Sequence, residues 1–128
     1  MCLLDRIIDW SDATIRLATT THASPTNPLR SNGRLRAIHL CEYGAQAMAV
    51  HGALKARADG TKAPPGVLVS LRSVTLHCDH AEDFPGELMI EADCLQASAA
   101  SQQYEFRVLH AGTLLAQGRA AVLLRVLE

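Results

Sequence analysis

The segment 37–54 is almost entirely small or apolar, yet it contains a carboxylic acid, Glu42, followed four residues later by the amide Gln46. Burying an ionisable side chain is costly unless it is paired or neutralised. Burial also raises the pKa of a carboxylic acid, and an acid tuned toward neutrality can donate and accept protons. We therefore predict that Glu42 is buried and acts in catalysis. The alternative is that it only bonds Gln46 or a backbone group.

Each of three histidines is either a possible catalytic partner of Glu42 or a structural residue. At about 100° per residue, His39, Glu42 and Gln46 fall within roughly 60° of one another on a helix surface. His39 is therefore a candidate base, or a residue that tunes Glu42, unless it simply bonds a nearby group. His22 is a candidate that swings toward the site from a partner subunit, and its alternative is an exposed loop histidine. His51 lies about 120° around the helix from His39 and is predicted to be a satisfied core or interface residue.

A second polar cluster occurs at residues 77–83, "HCDHAED". Its possible metal ligands are His77, Cys78, Asp79 and His80. On a strand the first two would point to opposite faces, and no distant pair completes a tetrahedral set. We predict a solvated loop and no metal site. Cys41, beside the acid, is predicted to be a small buried hydrophobe.

Composition excludes several classes of function. The chain has 128 residues, 48% of them apolar and 20% charged, which suits one globular domain spanning 1–128. A formal charge of -1 and only one Trp, two Tyr and two Phe give no support for binding nucleic acid or an anionic membrane. The four scattered cysteines, without a C-x-x-C pair, are typical of reduced thiols. With no signal peptide and no membrane-spanning run in the sequence, we expect a soluble cytoplasmic protein.

Hydrophobic periodicity, turn residues and prolines predict the elements that must position these side chains. They are a helical turn or strand at 3–10, a strand at 12–21, a loop at 22–34, a helix at 35–57 ended by Gly60 and Pro64-Pro65, strands at 67–78 and 87–98, and a hairpin at 101–128 that turns at His110-Ala111-Gly112.

One long helix against four or five strands predicts an α+β fold. The helix is apolar almost all round and rich in glycine and alanine, so it should be surrounded rather than laid on a surface. A central helix wrapped by a curved antiparallel β-sheet, the hotdog fold, fits this description. Edge strands left open would pair with a second copy.

The quoted segments resemble a known family. "MCLLDRIIDW" is similar to the opening "MLLVDRV" phrase of the β-hydroxyacyl-ACP dehydratases (the FabZ group), and "HAGTLLAQGRAAVLL" to their last hairpin. "CEYGAQAMA" resembles their helix motif, in which a catalytic Glu is followed four residues later by Gln; Glu42 and Gln46 stand at those places. Over nearly its whole length the chain also resembles the dehydratase-like hotdog proteins of aryl-polyene gene clusters. Their "NPL/F…G.LP…IEY.AQ" pattern matches "NPLRSNGRLRAIHLCEYGAQAM".

The sequence departs from the FabZ group at one catalytic position. That group carries a His at the head of an "HFPG" loop, fourteen residues before the Glu. In this chain the residue fourteen positions before Glu42 is Pro28, and the Pro-Gly pair of that loop is absent too. The aryl-polyene relatives share this loss, so the base of the standard mechanism has no counterpart at this position.

The resemblance implies elimination of water from a 3-hydroxyacyl thioester, carried on acyl carrier protein or on coenzyme A, to give a trans-2-enoyl thioester. Glu42 would handle the hydroxyl group, and Gln46 would contact the substrate. Amides near Arg36 and Ala37 would face the thioester carbonyl, where negative charge develops.

Arginines 30, 34 and 36 cluster near the expected mouth of the acyl tunnel. They are candidates to bind the phosphate of a phosphopantetheine arm or an acidic carrier protein. Their alternative is a set of solvated loop charges.

Two other functions stay open beside the dehydratase. One is a hotdog thioesterase, because such enzymes also place a carboxylate on the central helix and use water as the nucleophile. The other is a non-catalytic subunit that binds acyl thioesters. In each case we expect a homodimer, or a heterodimer with another hotdog protein, and no cofactor.

Overall fold

The computed structural model describes residues 2–61, 66–98 and 100–124. Six strands form one antiparallel sheet in the order β1-β2-β4-β5-β6-β3, and one long helix, α1, packs against it. The predicted α+β hotdog architecture is confirmed. The elements are β1 (Arg6–Trp10), β2 (Thr14–Thr19), two 3-10 turns (Thr21–Ala23 and Ala37–His39), α1 (Leu40–Ala58), β3 (Gly66–Leu76), β4 (Leu88–Ala97), β5 (Ser101–His110) and β6 (Thr113–Leu124).

The core lies between α1 and one face of the sheet. Alternate residues of β5 point toward the helix, and Tyr104, Phe106 and Val108 are fully buried, as their spacing predicts. From α1, Leu40, Tyr43 and Ala47 are fully buried in the same core.

The predicted hairpin turn is also confirmed. Ala111 and Gly112 both have positive φ, 48° and 83°, and they join β5 to β6 as a two-residue turn. Two positive φ angles give a turn whose twist matches that of the flanking strands.

The helix begins later than predicted. Leu35 and Arg36 are not helical, because Arg36 forms an antiparallel bridge with His80. A 3-10 turn follows, and α1 starts at Leu40. The helix ends at Ala58, and Gly60 lies just beyond with φ 70°, a conformation that suits glycine after a helix. Pro64-Pro65 and residues 125–128 lie outside the described residues.

The prediction that α1 is surrounded is wrong for the single chain. Ile38, Glu42, Ala49 and Ala53, which follow one another along one side of the helix, are exposed. The sheet covers the opposite side, and among the described residues its last strand, β3, has no neighbour on its outer edge. The helix therefore keeps one uncovered face.

The two edge strands differ from the rest of the sheet. All five residues of β1 are exposed, and β3 exposes several apolar side chains. No helix in the described part of the chain is both long enough and apolar enough to cross a membrane.

Candidate functional site

Glu42 lies in the first turn of α1, on the uncovered face of the helix. The prediction that it is buried is wrong for the single chain, because the residues of the sheet that enclose α1 lie on the other side.

His39 and Gln46 flank Glu42 along the helix. His39 is partly buried, three residues before Glu42. Gln46 is also partly buried, and its Oε1 accepts a 2.7 Å hydrogen bond from the Leu3 amide. The Gln46 side chain, which is predicted to contact the substrate, thus also ties the N-terminal segment to α1.

A groove of about 450 Å³ runs along the C-terminal half of the same helix. Its floor is made of the small or flexible residues Ala45, Met48, Ala49 and Gly52. Leu68 of β3 and Val122 of β6 line its side, whereas Lys55, Asp59, Thr61 and Gln102 add polar groups. Ala45 follows Glu42 by three residues, so the apolar groove begins about one helical turn beyond the carboxylate.

The amide predicted to face a carbonyl is occupied. The Ala37 N–H donates a 2.9 Å hydrogen bond to Asp79 O, because residues 35–37 pair with residues 79–81. The next amide, that of Ile38, donates none of the hydrogen bonds formed within residues 2–61, 66–98 and 100–124. The first amides of a helix have no intrahelical acceptor, which makes the Ile38 amide an available donor at this end.

The alternative that His22 is an exposed loop residue is wrong, whereas a role for it at the site of a partner subunit stays a prediction. Its ring is fully buried, and Nε2 lies 2.8 Å from Phe84 O, where it donates a hydrogen bond. Burial disfavours the charged imidazolium and lowers the pKa of His22. The ring therefore holds the segment around Phe84 in place.

The prediction for His51 is confirmed. Its Nε2 donates to Ser11 O at 2.7 Å, and its Nδ1 accepts from the Tyr104 hydroxyl at 2.7 Å. Burial lowers the pKa of His51, which keeps the ring neutral and able to make both bonds.

Sequence reasoning missed a polar network under the loop. The Tyr43 hydroxyl is 3.0 Å from Thr21 Oγ1 and accepts a hydrogen bond from Asn27 Nδ2 at 2.9 Å. Tyr43 directly follows Glu42, and Asn27 directly precedes Pro28, so the network ties the loop to the first turn of α1. The signal was an Asn-Pro pair in a loop, because such an Asn commonly bonds nearby groups.

The three arginines do not form one free cluster. Arg30 reaches the backbone oxygens of Gly33 and His22, and Arg34 Nε pairs with Glu82 at 2.7 Å. Arg36 is exposed and directly precedes the turn that leads into α1.

No group of three His, Cys, Asp or Glu side chains suited to a metal ion occurs within the described ranges. His77 and Asp79 are exposed after the end of β3, but the prediction of a solvated loop is wrong for Ala81 and Glu82, which are buried. All four cysteines are free thiols, and burial raises the pKa of Cys41.

Comparison with known proteins identifies relatives of this architecture. The family model described as ApeP-like, ApeP dehydratase, matches residues 1–125. The dehydratase heterocomplex ApeI:P from Xenorhabdus doucetiae has a chain that is 22% identical, with a TM-score of 0.88 over 98% of this chain and 84% of that one. No curated protein matches the chain.

Two other solved structures share the fold at lower similarity. AziG from S. sahachiroi is 17% identical, with a TM-score of 0.66 over 94% of this chain and 91% of that one. A hypothetical thioesterase protein solved with coenzyme A, from Streptococcus pneumoniae TIGR4, is 12% identical, with a TM-score of 0.69 over 94% of this chain and 84% of that one.

Proposed function

Because this chain belongs to the ApeP-like dehydratase family, we propose that it is a hotdog dehydratase subunit that removes water from a 3-hydroxyacyl thioester to give a trans-2-enoyl thioester. The observation that carries the proposal is the position of Glu42 on α1 about one helical turn before an apolar groove that runs along the same helix. A carboxyl group beside a channel for an acyl tail is what this elimination requires.

The elimination needs one group to accept a proton and another to donate one. In our proposal His39 removes the α-proton, the C–H electron pair becomes the Cα–Cβ double bond, and the C–O bond breaks. The Glu42 carboxylic acid then protonates the departing hydroxide, so that water leaves. The Ile38 amide, which donates no hydrogen bond within the described residues, donates to the thioester oxygen and stabilises the charge that builds there.

The acyl tail would follow the groove. At about 1.5 Å per residue, the helix from Glu42 to Lys55 spans roughly 20 Å, enough for an extended medium-length chain. Ala45, Ala49 and Gly52 leave room for it because their side chains are small or absent.

A partner subunit completes the site in this proposal. Glu42 is exposed in the single chain, whereas a proton-transferring carboxyl group works best where water is excluded. The open edge of β3 carries the exposed apolar residues Val67, Leu68 and Leu71, which suit pairing with another strand. We propose that a second hotdog protein pairs here, and the relative described as the heterocomplex ApeI:P favours a different chain over a second copy.

Acyl carrier protein is the proposed donor of the substrate. Arg36 is exposed beside the start of α1, where its guanidinium would bind the phosphate of a phosphopantetheine arm. Arg34 is assigned no part in binding this phosphate, because its Nε is engaged by Glu82 at 2.7 Å.

Mass spectrometry of a 3-hydroxyacyl carrier protein tests the function. The carrier is incubated with this chain alone, with a hotdog partner alone, and with both. Loss of water that requires this chain supports the proposal. Release of the free acid would instead identify a thioesterase. A carrier-protein conjugate that stays unchanged in the presence of both proteins would contradict both the dehydratase and the thioesterase function.

A non-catalytic subunit is the second candidate, and Pro28 favours it because the FabZ-type histidine is missing there. If the chain is a non-catalytic subunit, dehydration requires its presence but continues when Glu42 is replaced.

A further inference from the structure

The start of α1 is held from outside the helix. Neither the 3-10 turn Ala37–His39 nor α1 has a side-chain cap. Instead, the segment 79–84, which we call the strap, lies antiparallel to residues 34–37. Ala81 N–H donates to Leu35 O at 2.8 Å, and the Ala37 amide donates to Asp79 O.

One side chain of the strap reaches the backbone of the helix start. Glu82 Oε1 accepts a 2.7 Å hydrogen bond from the Leu35 amide, and Oε2 accepts another from Arg34 Nε at 2.7 Å. The Glu82 side chain is only 5% exposed, whereas that of Arg34 is 51% exposed. The buried bond to the backbone is therefore the better-shielded of the two.

The ionised form of this carboxyl group is favoured. Burial by itself would raise the pKa of Glu82, but the bonds from the Leu35 amide and Arg34 outweigh it and lower the pKa below its usual value. A charged acceptor makes a stronger hydrogen bond to a backbone amide than a neutral one.

Buried histidine anchors the far end of the strap. His22 Nε2 donates to Phe84 O, and Phe84 packs against the core. Glu82 thus belongs to a segment that is itself held in place. Its hydrogen bond from the Leu35 amide therefore fixes the position of the Leu35 backbone. Three residues later comes the Ile38 amide, and His39 and Glu42 follow within two turns.

We infer that Glu82 is a positioning residue, which sets the place of the Ile38 amide and His39 by holding the Leu35 backbone. This inference rests on the proposed function for its catalytic consequence. In this inference Glu82 does not contact the substrate. Its hydrogen bond to the Leu35 amide, rather than its ion pair with Arg34, positions the Ile38 amide and His39.

Four variants of the assembled dehydratase separate these contributions. Glu82→Ala removes both bonds, Glu82→Gln keeps a side-chain oxygen for the Leu35 amide, and Arg34→Gln removes only the ion pair. Glu87→Ala is the matched control, because Glu87 forms a similar 2.7 Å pair with Arg6 that is exposed on both sides.

We expect Glu82→Ala to lower kcat by about tenfold or more with little change in KM, since misplacing reacting groups by about 1 Å has effects of this order. Glu82→Gln and Arg34→Gln should stay within about threefold of the parent because the Leu35 amide keeps its acceptor. All rates are measured well below the melting temperature of each variant. Equal kcat for Glu82→Ala and Glu87→Ala would overturn the inference, and so would a loss in Arg34→Gln as large as that in Glu82→Ala.

Hydrogen–deuterium exchange keeps this inference separate from the proposed function. Glu82→Ala should speed exchange in residues 35–42 while residues 47–58 of α1 stay protected. The proposed function fails if the parent protein dehydrates no substrate. The positioning role fails if exchange at residues 35–42 is unchanged in Glu82→Ala, whatever the outcome for the proposed function.

Discussion

Gly44 of α1 lies directly on the ring of Phe106 in β5. A Cβ built at Gly44 would overlap the ring atoms Cγ and Cδ1, and one built at Gly118 would lie 2.9 Å from the opposite side of the ring. Phe106 is therefore clamped between two glycines, and the helix approaches the sheet as closely as its backbone allows. This contact fixes which side of α1 faces the sheet, and Glu42, two residues earlier, projects away from it.

Gly44→Ala is expected to destabilise the protein even though alanine is the better helix former. The gain in helix propensity is about 1 kcal/mol, whereas overpacking a fixed ring costs about 1–3 kcal/mol. Gly52→Ala is the matched control, because a Cβ there meets nothing within 4 Å. Urea unfolding should show a lower free energy of unfolding for the first variant and an unchanged or higher one for the second. A stabilised Gly44→Ala would mean that the contact is looser than described.

Ala49→Phe is expected to narrow the groove. If the acyl tail lies there, kcat/KM should fall about tenfold or more for long 3-hydroxyacyl substrates and little for short ones, since overlap with the tail loses its burial. Ala53→Phe, on the same side of α1 but not lining the groove, is the control. Both variants are checked for assembly by size-exclusion chromatography with light scattering. Equal losses for short and long substrates would place the tail elsewhere.

Stability should fall on the acid side of neutrality because of His22. Its pKa is lowered by burial, so the unfolded chain binds a proton at a pH where the folded chain does not. The free energy of unfolding then decreases as the pH drops below about 6.5 and levels off below the folded pKa, with a slope of at most about 1.4 kcal/mol per pH unit for one such group. His51 contributes with the same sign.

His22→Gln offers an amide donor for Phe84 O but does not titrate. Its unfolding free energy, measured by urea titrations between pH 5 and pH 8, should depend less on pH than that of the parent. Replacement of the exposed His77 controls for the loss of a surface imidazole. A slope as steep in His22→Gln as in the parent would show that this histidine does not control the acid-side loss.

Leu71→Lys tests the proposed pairing edge. Leu71 is 40% exposed on β3, and a lysine on an edge strand opposes strand addition. Losing the burial of one leucine corresponds to a complex weaker by about tenfold or more. Leu95→Lys, at the 51% exposed Leu95 of β4, is the control. Light scattering of the two-protein complex measures the change, and undiminished assembly of the Leu71 variant would refute pairing through β3.

Patterns among residues that are close in sequence are sufficient to predict most of the fold. The alternation of Tyr104, Phe106 and Val108 and the turn at Ala111-Gly112 depend on neighbours in sequence, and both predictions are confirmed. The helix start was misplaced because Leu35 and Arg36 pair with residues 79–81, and such a long-range contact leaves no trace in a local window.

Site prediction was less complete for the same reason. Glu42 was found from its motif, but its exposure depends on how far the sheet wraps around α1, which composition does not specify. His22 lies in a loop rich in proline and polar residues, so its burial against Phe84 was not foreseeable. Glu82 was missed because its partner, a backbone amide 47 residues away, has no sequence signature.

The role of Glu42 is the central claim, and its isosteric amide variant is the most direct probe. Dehydration is followed in a single turnover by this chain assembled with a hotdog partner whose own helix carboxylate has been replaced by glutamine. The complex with wild-type chain should convert the 3-hydroxyacyl carrier protein, and Glu42→Gln should slow it by about 10²-fold to 10⁴-fold, as removal of a general acid does. An unchanged rate in the Glu42→Gln complex would contradict the account.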